Sequence, residues 1–94
     1  MTIATRQANL FPLGQLLISR GVIDAGIPAL PLVVRHASGD WGDISDDDRD
    51  LNERALGKGG ERIFSAYDVS GGLRVWIITE ADRSATTVLL PEEY

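Results

Sequence analysis

The chain has 94 residues, with fourteen acidic and nine basic side chains and a net charge of −5. Its length predicts one domain over residues 1–94, because compact domains cluster at about 100 to 150 residues. The acidic balance argues against direct binding to nucleic acid, since attraction to the phosphate backbone needs a basic surface. The chain has no cysteine, which excludes disulfides and thiolate metal sites and is typical of the reducing cytoplasm.

The N-terminal segment, residues 1–9, is polar and has no apolar periodicity, so we expect it to be loosely ordered. No apolar run approaches the ~20 residues that cross a bilayer, and we expect a cytoplasmic protein without a membrane segment. The first apolar run, residues 13–20, is bounded by Pro12 and Gly21 and is best interpreted as a strand, with a helical turn as the alternative that so short a run leaves open.

Two short helices are predicted next. Asp24 is a candidate N-cap for a helical turn over residues 25–27, which Pro28 keeps short. Pro31 suits the first turn of a second helix that ends near Ala37. The apolar stripe of this second helix consists of Leu30, Val33, Val34 and Ala37.

A third helix is predicted over residues 46–56. The Ser45 hydroxyl is expected to accept a hydrogen bond from the N–H of Asp48, and the carboxylates of the first turn favour the positive end of the helix dipole. Gly57 is expected to end the helix, because glycine is a poor helix former and a common C-terminal stop.

The C-terminal third is rich in β-branched and aromatic residues and predicts three strands, over residues 62–69, 73–80 and 86–90. Gly71 and Gly72 suit the positive φ angles of a tight hairpin between the first two strands. The predicted fold class is therefore α+β. It has a mostly antiparallel four-stranded sheet, made of this meander and the N-terminal strand, with two or three short helices on one face.

Alternation along the middle strand assigns its two faces. The face expected to pack in the core carries Leu73, Val75, Ile77 and Thr79. On the opposite face we expect Trp76 and a cross-strand partner, Phe64 or Val88, to form an apolar patch. This patch is either a binding surface or a second small core.

The loop of residues 36–43 has the composition of a functional site, with the only histidine, a serine, two aspartates, two glycines and a tryptophan. One interpretation makes His36 a general base for a Ser38 nucleophile, oriented by one of the aspartates. Triad members so close in sequence meet with difficulty in space, which favours a structural role for the loop. In that role Trp41 plugs the base of the sheet and His36 caps the preceding helix.

A metal site is the next alternative, since four aspartates have a spacing reminiscent of a calcium loop: Asp40, Asp43, Asp46 and Asp48. The segment lacks the central glycine and final glutamate of such loops, and one histidine without cysteine does not suit zinc. No glycine-rich phosphate loop is present in the sequence. We therefore predict no metal and no cofactor.

Several blocks of residues 11–94 form a distinctive combination: residues 36–43, Asn52, residues 55–56, 65–67, 76–87 and 89–94. Together they resemble a family of small bacterial proteins carried on plasmids and integrated mobile elements. Members of that family are labelled plasmid-related proteins or, loosely, type I restriction endonuclease subunit M. The resemblance implies a mobile-element accessory protein that acts on host defence or plasmid maintenance. A methyltransferase is not implied, because the chain lacks the length and glycine motif of that fold.

Our first functional hypothesis is a small acidic interaction module that binds another protein. The acidic segment 40–53 would supply the charged part of the contact, and Trp41 its aromatic anchor. The predicted partner-binding residues are Asp40, Trp41, Asp43, Asp46, Asp47 and Asp48.

Two alternatives stay open. The first is a small enzyme or toxin that acts on nucleotide or RNA, with its catalytic residues gathered at one end of the sheet. These would be His36, Asp40, Asp43, Glu80 and Arg83. The second alternative is a homodimeric structural module, joined through a sheet edge or through the Trp76 face.

Overall fold

A computed structural model describes residues 9–94, so the prediction of a loosely ordered N-terminus lies almost wholly outside the described residues. The elements are β1 (Gln15–Ile18), α1 (Arg20–Asp24), α2 (Ala29–Ala37), α3 (Asp46–Lys58), β2 (Ile63–Val69), β3 (Leu73–Thr79) and β4 (Ala85–Leu89). Short 3-10 turns follow β2 and β4, at Ser70–Gly72 and Pro91–Glu93. No helix within residues 9–94 is long and apolar enough to cross a membrane.

The four strands form one mixed sheet in the order β1-β4-β3-β2. The predicted C-terminal meander is confirmed, because β2, β3 and β4 pair antiparallel in succession. The prediction of a mostly antiparallel sheet needs correction at β1, which pairs parallel with β4. The chain leaves β1 through three helices before it returns as the meander, and such a long crossover is what parallel pairing requires. The α+β class is confirmed.

Helix α1 begins earlier than predicted. Ser19 is its N-cap, and the Ser19 hydroxyl accepts a hydrogen bond from the N–H of Val22 at 3.2 Å. The predicted turn over residues 25–27 was therefore wrong, and Asp24 is the last residue of α1 rather than a cap. The Glu93 carboxylate accepts hydrogen bonds from the Ser19 hydroxyl and the N–H of Gly21, at 2.6 and 2.9 Å. The C-terminal turn is thereby fixed to the start of α1.

Helix α2 presents a different face to the core than its apolar pattern suggested. Its buried residues are Ala29, Leu32, Val33, His36 and Ala37. Leu30 and Val34, which belonged to the predicted stripe, are exposed. The helix is rotated so that the polar His36 faces the sheet, where two strand hydroxyls bind it. His36 is therefore buried against the sheet where the apolar pattern had predicted Val34. Its burial is tolerated because both ring nitrogens have hydrogen-bonding partners.

Helix α3 has the predicted start and a later end. The Ser45 hydroxyl accepts from the N–H of Asp48 at 3.0 Å, which confirms the predicted cap. Gly57 lies inside the helix, which runs on to Lys58 and ends at Gly59 with a φ of 74°. The helix therefore extends two residues beyond the predicted end, and the stop is the glycine with positive φ.

Two apolar clusters stabilise the fold. The larger joins α1 and α2 to one face of the sheet and includes Val22, Leu32, Val33, Tyr67, Val75, Ile77 and Val88. The smaller consists of Phe11, Trp41, Ala55 and Ile63 and joins the segment before β1 to α3 and β2. As predicted, Val75, Ile77 and Thr79 face the core, whereas Leu73 at the strand end is exposed.

The outer edge of β2 is closed by side-chain and loop contacts. The Asn52 side-chain amide donates to the carbonyl of Phe64 at 2.7 Å and accepts from its N–H at 3.0 Å. Two residues further along the strand, the N–H of Ala66 donates to the carbonyl of Trp41, and the carbonyl of Ala66 accepts from the N–H of Asp43. Residues of α3 and of the preceding loop therefore occupy the hydrogen-bonding positions of a neighbouring strand.

Replacing Asn52 with alanine should open this edge. Asn52 is buried, and its loss leaves the N–H and C=O of Phe64 without partners, at a cost of about 2–4 kcal/mol. Chemical denaturation measures the change. Arg54→Ala, at an exposed position of the same helix, is the control and should change the free energy of unfolding by less than about 0.5 kcal/mol. Equal stability of the two variants would contradict the closing role of Asn52.

Candidate functional site

His36, the residue on which the catalytic interpretation depended, is fully buried, with 0% of its surface exposed. Its Nδ1 lies 2.5 Å from Ser65 Oγ, and its Nε2 lies 2.9 Å from Thr79 Oγ1. The imidazole is also enclosed by two aromatic rings, with centroid distances of 5.3 Å to Phe11 and 5.9 Å to Trp41. Both ring nitrogens are therefore occupied inside the protein.

The hydrogen bonds around His36 assign its tautomer. The Thr86 hydroxyl donates to the carbonyl of Leu13 at 2.7 Å, so it accepts from the Thr79 hydroxyl, 2.7 Å away. Because the Thr79 hydroxyl donates its proton to Thr86, it can only accept from His36, so Nε2 of the imidazole is protonated. The unprotonated Nδ1 then accepts from the Ser65 hydroxyl. Burial lowers the pKa of His36 to about 4, in agreement with a neutral ring. We call the four side chains His36, Ser65, Thr79 and Thr86 the histidine network.

This geometry does not assemble the proposed triad. The Ser38 hydroxyl donates to the carbonyl of Arg35 at 2.9 Å, in the last turn of α2. Asp40 binds the Arg35 side chain instead of His36, with contacts of 2.7 and 3.3 Å. A buried and neutral imidazole also does not cap α2 as a cation. The interpretation of His36 as a helix cap is therefore corrected.

The histidine network predicts a stability that falls on acidification. The unfolded chain binds a proton on His36 near pH 6.5, whereas the folded protein does so only near pH 4. The contribution of neutral His36 to the free energy of unfolding is therefore fully present above pH 6.5. As the pH falls to 4, the free energy of unfolding decreases by about 3 kcal/mol because of this shift. Urea denaturation at successive pH values measures this loss.

His36→Asn is the control, because an amide keeps hydrogen-bonding capacity without titrating in this range. Between pH 6.5 and 4, its stability should fall by clearly less than that of the wild type, whatever its absolute stability. A wild-type profile that is flat in this range, or equal slopes in both proteins, would contradict the neutral buried histidine.

An open pocket of about 330 Å³ lies beside the histidine network, at the surface. It is lined by Arg35, Asp40, Gly42, Asp43, Tyr67 and Asp68. The Arg35 guanidinium lies 4.6 Å from the centre of the Tyr67 ring, and its hydrogen bond holds the pKa of Asp40 below the usual range. The Tyr67 hydroxyl donates to the carbonyl of Asp40 at 2.7 Å, and burial raises the pKa of Tyr67 to about 12.

Charges around this pocket are paired with one another. Arg74 donates to the Asp68 carboxylate at 2.7 Å and to the carbonyl of Asp43 at 2.6 Å. Arg35 is bound to Asp40, so each of these two arginines already has a carboxylate partner. No cluster of three or more metal-ligating side chains occurs in the part of the chain that is described. The contacts of Arg35 and Arg74 therefore fix the loop to the sheet.

Trp41 is buried, with 1% of its surface exposed, and cannot serve as the aromatic anchor that the sequence suggested. Its ring packs in the smaller apolar cluster, and its Nε1–H donates to the Glu53 carboxylate at 3.2 Å. The prediction failed because a tryptophan in a polar loop has the same local sequence whether it points outward or inward. Its structural role as a plug beside the sheet agrees with the geometry.

The remaining predicted catalytic residues lie outside this pocket. The hydrogen bond between His36 and Thr79 joins the end of α2 to the end of β3, just before the β3–β4 connection. The Arg83 guanidinium, on that connection, donates to main-chain carbonyls, including those of Glu61 and Ala55. Glu80 is exposed on the β3–β4 connection. Only Asp40 and Asp43 of the five residues line the pocket. The five predicted catalytic residues are therefore not gathered in this one pocket.

The acidic first turn of α3 is accessible. Asp46 and Asp47 are exposed and Asp48 is half-buried. Asp48 lines a small groove, of about 80 Å³, between α3 and the sheet, together with Leu51, Asn52, Glu61, Arg62 and Phe64. We call this depression the α3 groove. Of the six predicted partner-binding residues, Asp48 lines this groove, where it lies next to Phe64 of the sheet.

An aromatic patch continues from the α3 groove over the sheet face opposite to α1 and α2. Phe64 and Trp76 pack edge to face with centroids 5.2 Å apart, and Tyr94 packs on Trp76 at 5.7 Å. Arg62 donates to the Tyr94 hydroxyl at 3.1 Å and lies 5.8 Å from the Phe64 ring. Of the two partners predicted for Trp76, Phe64 is the one observed, whereas Val88 is buried in the larger apolar cluster. Tyr94 was missed, although its position shortly after the strand next to Trp76 was a usable signal.

No family model, curated protein or solved structure matches the chain. The resemblance to the plasmid-borne family therefore stays a prediction that rests on the residues quoted for it.

Proposed function

We propose that the protein is a small accessory module that binds another protein through one continuous surface, formed by the acidic first turn of α3, the α3 groove and the aromatic patch. The partner would present basic side chains to the acidic turn and an apolar side chain to the groove. The proposal keeps Asp46, Asp47 and Asp48 as contact residues and replaces Trp41 by Phe64, Trp76 and Tyr94.

The observation that carries the proposal is the α3 groove itself. Its lining joins a carboxylate, Asp48, to the apolar Leu51 and Phe64 in one depression. Leu51 is 41% exposed, although it lies on a helix whose other apolar residues are packed inward. Interface centres are enriched in aromatic residues and arginine, whereas charges at the rim steer the encounter. Both components are present here side by side.

Binding is supported over catalysis by the state of His36. The only imidazole of the chain is buried, neutral and hydrogen-bonded at both nitrogens. The proposed context, host defence or plasmid maintenance on a mobile element, is supported by the sequence resemblance alone.

The proposal predicts a partner that is lost when the surface changes. Tagged protein is incubated with lysate of its native host, and the captured proteins are identified by mass spectrometry. The affinity of the purified partner is then measured by calorimetry. Asp47→Lys and Leu51→Lys should each weaken binding at least tenfold, because they place like charge or a polar group in the contact.

Asp24→Lys is the matched control for Asp47→Lys, since it makes the same charge change at an exposed site on α1. It should bind as the wild type does. Equal affinity of all variants would contradict the proposed surface, and the absence of any stoichiometric partner would contradict a binding function.

A further inference from the structure

The two edges of the sheet differ in what occupies them. The edge of β2 is filled by Asn52 and by residues 41–43. At the other edge, the N–H groups of Gln15 and Ser19 point inward and donate to Ser84 and Val88, each at 2.9 Å. Because main-chain groups alternate along a strand, those of Leu16 and Ile18 point outward. Within residues 9–94, β1 pairs with β4 alone.

The side chains of β1 are unusual for an open edge. Leu16, Leu17 and Ile18 are 36%, 41% and 37% exposed, so apolar surface faces solvent on both sides of the strand. The strand has no charged residue, proline or bulge, which are the features that normally prevent edge-to-edge pairing. An edge of this kind favours association with another strand.

We propose that a second copy of this chain pairs with β1, antiparallel and around a two-fold axis at Leu17. Leu16 then faces Ile18 of the partner copy, and Leu17 faces its own counterpart across the axis. This register makes four main-chain hydrogen bonds through the outward groups of Leu16 and Ile18. The three pairs nearest the axis each join two apolar side chains, and Gln15 faces Ser19 of the other copy, so the strand is complementary to itself.

The closed edge of β2 explains why the assembly stops at two. If both edges were open, copies could add without limit and form fibres. With Asn52 and residues 41–43 on one edge, only β1 can pair, and an isologous contact closes on itself. The uncharged strand also lets two copies with a net charge of −5 meet without like charges at the contact.

The dimer would contain one continuous eight-stranded sheet. A two-fold axis perpendicular to the sheet keeps equivalent faces together, so both aromatic patches would lie on the same side. This inference does not depend on the proposed partner, because β1 and α3 lie at opposite edges of the sheet.

The first experiment is site-specific cross-linking. The chain has no cysteine, so Leu17→Cys introduces a single thiol. Residues facing each other at a non-hydrogen-bonded position have Cα atoms about 4.5 Å apart, within the range of a disulfide. Under mild oxidation the variant should form a covalent dimer in high yield, whereas Leu51→Cys, at a site of equal exposure on α3, should not. Similar low yields at both positions would overturn the proposed axis.

The second experiment is sedimentation of the full chain at about 100 μM. The wild type should be a dimer, and Leu17→Lys, which places two like charges across the axis, should be a monomer. Leu16→Pro removes only an outward N–H and should also be monomeric. Leu51→Lys should stay dimeric while it loses the proposed partner, which separates the two proposals.

A monomeric wild type overturns the proposal. So does a dimer that forms only after residues 1–8 are deleted, since β1 would then be covered by this chain's own N-terminus. Persistence of the dimer in folded Leu17→Lys and Leu16→Pro would place the contact elsewhere on the molecule and would also contradict the inference.

Discussion

The rest of the structure depends on the burial of one neutral imidazole. His36 belongs to α2, while its hydrogen-bonding partners lie on the strands: Ser65 on β2, Thr79 on β3 and, through Thr79, Thr86 on β4. A polar ring removed from water is tolerated only when its nitrogens have partners, because an unsatisfied buried group costs about 1–3 kcal/mol. The histidine network therefore fixes the rotation of α2 and its position over three strands at once.

The position of His36 also determines which surfaces of the protein are covered and which are exposed. The loop after α2 turns at the pocket beside the network, and Phe11 and Trp41 pack against the imidazole. With Trp41 inside, residues 41–43 reach the edge of β2, where Gly42 approaches Ala66 so closely that a side chain would collide with its carbonyl. The β2 edge of the sheet is thus covered by residues whose position depends on the core. The surfaces that stay accessible are the start of α3, the aromatic patch and the edge of β1.

Much of the secondary structure was predictable because its signals are local. The cap at Ser45, the strands of the meander and the contact between Phe64 and Trp76 depend on residues close in sequence or on strand alternation. The parallel pairing of β1 was not predictable in this way, because it joins residues separated by three helices and two strands.

The candidate site was harder to predict than the fold. The loop of residues 36–43 was recognised as unusual, but its residues are unusual for structural reasons. His36 binds partners 29 and 43 residues away, and no short motif announces them. The sequence left two roles open for Trp41, a buried plug and an exposed anchor, because the apolar cluster that receives it is assembled from three distant segments. The acidic turn of α3 was identified correctly as exposed, since its cap and charges are local features.

The most direct test of the account is the protonation state of His36, measured by long-range ¹⁵N–¹H NMR of the imidazole across a pH series. The account predicts a single neutral tautomer with the proton on Nε2, unchanged from pH 8 to about pH 5, in line with a pKa of about 4. A ring that titrates near pH 6.5, or one with its proton on Nδ1, would contradict the histidine network and the architecture derived from it.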